Sequence, residues 1–477
     1  MGPGTVAQYV PTPLAARFTV SDPTGVDPAL AAQNAMWRCT VQAIRGSLGY
    51  MPDTPYRDFC AWILDHPRHA RSWLQLVAVA QLVRLGDRML GGLLSAAELE
   101  AVAPYAGIMN AYQMYEVVSD HLAMGLGERT GDDATFDVRA QLLGDFDAAM
   151  VARLDGESAD AVRPRMLALA PAARHVSVFR QSLDEQAHAL LADAFLAAHP
   201  GVAAADLEYA LLPMLIANIE SAAALVDTMS DAVTADLLGD GLRRRYRAVD
   251  QLVSGPAESE QTLVALGAAA ILVVPTLAYY AGVIAEIVRP LKRYGHVLAD
   301  GTLAQALQDA AIAVRVLNDC GTALVEQSPR DRARFVERLR ALAADGGTVG
   351  ELLRRAHEHS ADGLLLTRIA KDLDHAEFNL CLDGIRGHEA SPASVDAFAG
   401  RLTTVTDVYR RARRSLDARA REMAGTLGDS VLSDLVLRFV EFHRFTYAHA
   451  FETEGGEYAV LDAQRIATTA RRSRRIA

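Results

Sequence analysis

The chain is short of aromatic residues, of positive charge and of cysteine. Aromatics make up only 6% of its 477 residues, and its four cysteines, Cys39, Cys60, Cys320 and Cys381, lie far apart. Such spacing builds neither a disulfide framework nor a zinc knuckle, so the cysteines read as buried, reduced thiols. The formal net charge is -12, which argues against a general nucleic-acid surface because phosphate binding needs a basic field. The exception is Arg471-Arg472-Ser473-Arg474-Arg475, which reads as part of a flexible basic tail over 456–477. Met1-Gly2-Pro3-Gly4-Thr5 lacks the charged start and apolar run of a secretory signal, and a cytoplasmic location is expected. Strand-like alternation of apolar and polar residues is scarce as well.

Alanine and leucine fill the space these absences leave, and the hydrophobic share reaches 51%. Apolar residues recur three and four apart almost from end to end, as in Val77-Val79-Leu82-Val83, so the fold class expected is all-α. Residues 1–28, with Pro3, Pro11, Pro13, Pro23 and Pro28, read as an irregular arm, and 29–455 as one all-α domain. A division near 100–170 into an N-terminal helical region and a main bundle is allowed. No charged residue falls between Glu260 and Glu286, and Leu263 to Ile284 is long enough to cross a bilayer. Pro275 in its middle, Thr276, Thr262 just ahead of it and the alanine-rich stretch favour a buried central helix instead, so no membrane association is expected. A homodimer is left open.

The richest local pattern is Asn318-Asp319-Cys320-Gly321-Thr322-Ala323-Leu324-Val325-Glu326. On a continuous helix an amide, a hydroxyl and a carboxylate at i, i+4 and i+8 share one stripe. Asn318, Thr322 and Glu326 can then offer three oxygens to one hard cation such as Mg²⁺. Asp319 points to another side and is expected either to support the ligands from behind or to be structural. The order of residues resembles the second metal motif of class I terpene synthases, which is Asn or Asp, then Asp, two residues, Ser or Thr, three residues, and Glu. Arg315-Val316-Leu317 before it and Gly321 ahead of the hydroxyl are similar to the plant-type form of that motif. The likeness covers about a dozen residues.

That resemblance implies a helical bundle of the isoprenoid-synthase type with extra N-terminal helices, Mg²⁺, and a linear prenyl diphosphate that is ionised and then cyclised or transferred. It also implies an aspartate-rich string on a second helix, which the chain does not contain. Glu116 with Asp120, and Asp227 with Asp231, keep the i, i+4 spacing of its outer acids. Asp184-Glu185, followed by His188, keeps its adjacent acids. Family members often carry an Arg and a Tyr near the C-terminus to meet the released diphosphate, and Arg444 and Tyr447 are the counterparts here; Arg289, Lys292 and Arg293 are further cations. Tyr112, Tyr115, Tyr279 and Tyr280 are candidates to face a carbocation. Two other classes fit less of the pattern. Glu185-x-x-His188, with Asp372, His375 or Glu377, could serve a di-iron oxygenase of the haem-oxygenase-like kind, and an acidic helical protein could be a non-catalytic interaction protein.

Overall fold

The computed structural model describes residues 28–448 apart from 78, 124, 128–133, 175, 177–184, 208–210, 256–258 and 360–362. The proposed N-terminal arm, the basic tail and Asp184 lie outside the described residues. Among those described the chain is all-α. Two isolated bridges, Gly91 with Leu94 and Thr348 with Glu389, are the β-type pairing found there.

The principal helices in chain order are α1 (Pro28–Ser47), α2 (Pro55–Asp65), α3 (Pro67–Leu76), α4 (Val79–Leu90), α5 (Ala96–Ala123), α6 (Ala134–Leu154), α7 (Ala159–Leu167), α8 (Glu185–Ala198), α9 (Leu211–Asp227) and α10 (Ala232–Ser254). They continue with α11 (Glu260–Ala269), α12 (Val273–Gly282), α13 (Tyr294–Ala299), α14 (Thr302–Cys320), α15 (Thr322–Val325), α16 (Pro329–Leu342), α17 (Val349–His359), α18 (Gly363–Asp374), α19 (Pro392–Leu427) and α20 (Val431–Thr446). Several start where the sequence says they should. A hydroxyl residue followed by proline supplies an acceptor for the first free amides and a backbone already set for the first turn. Thr54-Pro55 opens α2, Ser328-Pro329 opens α16, and Ser391-Pro392 opens α19 with a reciprocal capping box through Ser394.

Helix α5 runs through the middle of one half of the bundle, packed on α1, α4, α6 and α9, while α10 closes against α6 and α9. The other half centres on α14, packed on α11, α12, α18, α19 and α20, and α12 joins the halves by contacting both α10 and α14. Close approach of α1 and α5 depends on Gly107, where an added Cβ would lie 2.6 Å from the carbonyl carbon of Cys39. Between the same helices Asn110 donates to the Thr40 hydroxyl at 3.0 Å, and the Ser47 and Tyr115 hydroxyls meet at 2.7 Å.

Three stretches expected as single helices are broken. The long apolar segment bends by 47° between α11 and α12, just ahead of Pro275, which has no amide to offer the carbonyl four residues earlier. Its α12 part continues as a π-helical turn over Val283–Val288, and Leu277 to Ile284 are buried in the protein. The apolar stretch that ends in α9 is also long enough to cross a membrane, and 81% of its most apolar window is buried. The second break falls at Gly321 (φ 79°, ψ 147°), where α14 stops and the short α15 begins. The third lies in the stretch 348–384, which forms α17 and α18 and then a compact turn through the buried Asn379, Leu380 and Cys381.

Replacing Gly107 with alanine forces α1 and α5 apart and is expected to destabilise the fold by about 1–3 kcal/mol, read as a lower urea midpoint. An unchanged midpoint would show that the two helices do not depend on this contact.

Candidate functional site

Where α5, α10, the α11–α12 bend, α14 and α18 converge, a cavity of about 550 Å³ opens. Val117, Leu252, Val253, Ile271, Val314 and Phe439 give it an apolar wall, and Asp120, Arg245, Asn318, Lys371, His375 and Glu377 a polar one. A largely apolar pocket of a few hundred Å³ with a few convergent polar groups is the usual form of a small-molecule site.

The polar wall rests on Arg245. Its position on α10 is set by helical spacing: Leu242, Tyr246 and Arg245 fall on the stripe that turns inward, while Arg244 faces out. A buried guanidinium needs carboxylates. Nη2 of Arg245 lies 2.5 Å from Oε2 of Glu116 and 2.8 Å from Oδ1 of Asp120. Glu116 is buried beneath the wall, and its Oε1 also accepts from Nδ2 of Asn218 at 2.9 Å and from the Tyr246 hydroxyl. Asp120, one turn on, faces the cavity, so its side chain is 68% accessible although protein surrounds it. That enclosure raises its carboxyl to about 6, against the pull of Arg245. Asp147 on α6 is buried near the same cluster, and burial pushes its carboxyl well above the usual range.

Across the cavity the polar wall comes from the end of α18 and the turn after it. Lys371 Nζ lies 2.6 Å from Glu377 Oε2, and His375 Nδ1 lies 3.1 Å from Glu377 Oε1. Burial alone would raise the Glu377 carboxyl, but the hydrogen bond with His375 and the Lys371 charge hold it down at about 2. Ala376 between them has φ of 48°. Behind this turn, Asp319 accepts from Arg315 at 2.7 Å and from the Leu380 amide at 2.8 Å, the structural role expected of it. Asn379 donates to the Asp319 carbonyl at 2.9 Å and to Asp372 Oδ2 at 2.7 Å. The buried Cys320 and Cys381 thiols sit 3.3 Å apart beside this network.

The stripe of three oxygens does not form. Asn318 reaches the cavity, but Arg368 holds both its carbonyl (2.8 Å) and its Oδ1 (2.6 Å). Gly321 then breaks the helix because the Thr322 amide is drawn to the Tyr447 carbonyl at 3.0 Å, while the Thr322 hydroxyl donates to the Arg444 carbonyl at 2.6 Å. Glu326 is exposed and pairs with Arg444 through both oxygens, at 2.6 and 2.9 Å. Each expected ligand atom already has a protein partner and the three face different surroundings. In this conformation they do not fit a shared Mg²⁺, and among the described residues no group of three or more His, Cys, Asp or Glu side chains is placed to hold a metal ion.

Of the two acid pairs, only Glu116 and Asp120 stand at the cavity. Asp227 is exposed at the end of α9, and Asp231 caps α10 by accepting from the Val233 amide at 2.9 Å and the Thr234 amide at 3.1 Å. Glu185 begins α8. His188 packs against the Tyr56 and Phe59 rings, whereas Asp372, His375 and Glu377 engage Lys371 and Asn379, so the di-iron set is not assembled. Arg444 is committed to Glu326, while Tyr447 lines the cavity under the Arg368 guanidinium, 4.7 Å from its ring centre. Arg289 lies by Glu98 and Asp429, and Arg293 donates to the Thr426 carbonyl. Tyr112, Tyr115, Tyr279 and Tyr280 are buried, and the aromatics on the cavity wall are Phe378, Phe439, His443 and Tyr447 instead. Sequence reasoning missed Arg245, Arg315 and Lys371 at the cavity; for Arg245 the inward stripe of α10 was the available signal.

Arg245→Met leaves Glu116 as an uncompensated buried charge and is expected to cost about 3–5 kcal/mol in urea unfolding, with Glu116→Gln in the same chain restoring part of it. Burial raises the Asp372 carboxyl to about 6 from 3.8, so the folded state holds this proton more tightly than the unfolded chain. Its contribution therefore favours folding at low pH and is lost as pH rises through about 6. Asp372→Asn is expected to lose less stability than the parent between about pH 4 and 7, followed by thermal unfolding; equal slopes would refute the assignment. Comparison with protein-family models, curated proteins and solved structures finds no match to this chain.

Proposed function

We propose that the cavity takes a long apolar chain ending in a diphosphate, and that the protein is a class I terpene synthase-like enzyme that ionises it and lets the resulting carbocation cyclise or transfer. The observation that carries this reading is that Asp120 on α5 and Asn318 on α14, picked out from two separate sequence patterns, lie on the wall of one largely apolar cavity. The apolar side of that wall supplies what a prenyl chain needs, contact without water. Arg245, Arg315 and Lys371 supply the cations that a departing diphosphate needs.

Each of these cations is already paired. An arriving diphosphate must therefore compete with Asp120 for Arg245 and with Glu377 for Lys371, which favours a ligand of higher charge than a carboxylate. Once carbon becomes cationic, contact with the apolar side of the wall limits the water that can capture it. The faces of Phe378, Phe439 and Tyr447 are available to it at about 0.5–2 kcal/mol each.

The test is release of diphosphate from geranyl, farnesyl and geranylgeranyl diphosphates by the purified protein, with and without Mg²⁺. Asn318→Ala and Val314→Trp, which removes a polar wall group and fills the apolar space, are each expected to lower release at least about tenfold. Asp227→Asn, away from the cavity, is expected to stay within about threefold of the parent. No release by the parent, or undiminished release by both cavity variants, would remove the reading.

A further inference from the structure

We propose that His375, oriented by Glu377, is the base that ends the reaction by taking a proton from carbon; this rests on the reading of the cavity just given. The starting observation is the backbone at Ala376, whose φ of 48° places a residue with a Cβ in the left-handed region. Among the described residues it is the one non-glycine with positive φ, and such conformations persist where the surroundings enforce them, often at functional sites.

The surroundings here are specific. The His375 and Ala376 carbonyls accept from the amides of Gly125 (2.9 Å) and Gly127 (2.8 Å), just past the end of α5, and the Glu377 amide returns to the Asp372 carbonyl at 2.8 Å. An added Cβ at Gly127 would lie 2.3 Å from the Glu377 carbonyl carbon, so the contact tolerates no side chain. The result of this clamped turn is that His375 and Glu377, on either side of Ala376, both line the cavity, with Nδ1 and Oε1 3.1 Å apart.

That pairing decides the chemistry of the ring. An imidazole that donates from Nδ1 to a carboxylate keeps Nε2 as a free acceptor, and the carboxylate stabilises the imidazolium that forms when Nε2 takes a proton. Lys371, 2.6 Å from the other oxygen of Glu377, fixes the carboxylate in place. The other groups at the cavity able to accept a proton are less suited. Asp120 is held by Arg245, and Asp383, though burial raises its carboxyl, lies by the Arg401 and Arg386 charges, which favour its staying an unprotonated carboxylate. His443 bonds the Phe439 carbonyl through Nδ1 at 2.8 Å, has no carboxylate, and is kept neutral by burial, at about 4.

In the step, a C–H bond next to the cationic carbon breaks, its electron pair becomes the second bond of an alkene, and the proton goes to Nε2 of His375. Charge passes from carbon to the imidazolium, and no oxidant or reductant takes part. Glu377 acts through His375 and is a positioning residue.

The experiment incubates the full-length parent, His375→Gln, Glu377→Gln and His443→Gln with farnesyl diphosphate and Mg²⁺. It measures diphosphate release and the ratio of alkene to alcohol products, with circular dichroism reporting folding. The product ratio is taken per diphosphate released, so a change in ionisation rate in either variant does not enter it. The alkene-to-alcohol ratio is expected to fall at least about fivefold in His375→Gln, as water captures the cation, and by less in Glu377→Gln. If His375→Gln fails to fold, the ratio in Glu377→Gln decides. A parent that releases diphosphate but makes no alkene, an unchanged ratio in folded His375→Gln, or a fall confined to His443→Gln would overturn the base alone. A parent that releases no diphosphate overturns the reading of the cavity and takes the base with it.

Discussion

A guanidinium buried in the middle of a helical protein constrains everything around it. Arg245 is 4% exposed, and moving such a charge out of water costs several kcal/mol unless carboxylates and hydrogen bonds replace the lost hydration. Glu116 and Asp120 do so from one face of α5, and Glu116 in turn must be satisfied by Asn218 from α9 and Tyr246 from α10. The register of three helices is thereby tied to one ion pair. An apolar trio could pack the same space at less cost, but it would not hold a carboxylate at the edge of a hydrocarbon-like cavity.

The interruptions in the helices are arranged around that cavity. The bend between α11 and α12 contributes Ala270 to Val273 to its wall, and the turn after α18 contributes His375, Glu377 and Phe378. A continuous helix presents only side chains to its neighbours, because its amides and carbonyls are consumed internally. Breaking it frees backbone groups that can bond elsewhere, as the Thr322 amide does with the Tyr447 carbonyl and the Gly125 and Gly127 amides do with the turn at 375–376.

How much of this the sequence disclosed depends on whether the deciding interaction was local. Helix class followed from the spacing of alanine and leucine, and the starts at Ser328-Pro329 and Ser391-Pro392 are likewise set by contacts within a few residues. Asn318 stood out as an amide on an apolar helix and Asp120 through its four-residue spacing from Glu116, and both reach the cavity. The reading failed where a distant partner decided. A helix tolerates glycine at the position of Gly321, so the spacing through Thr322 to Glu326 looked uninterrupted, yet the C-terminal segment at Arg444 and Tyr447 pulls Thr322 out of line. Arg245 was hidden for a related reason. Its neighbours Arg243 and Arg244 make it resemble a solvated run; the inward stripe of α10 alone marks it in the sequence, and its carboxylate partners lie on the distant α5.

The two amide contacts between the end of α5 and the turn at 375–376 have a mechanical meaning. They join the turn that carries the imidazole to the segment after α5 by main chain alone, so the tie does not depend on any side-chain rotamer. A substitution at 375 or 377 therefore changes the chemistry of the wall and leaves this seam in place.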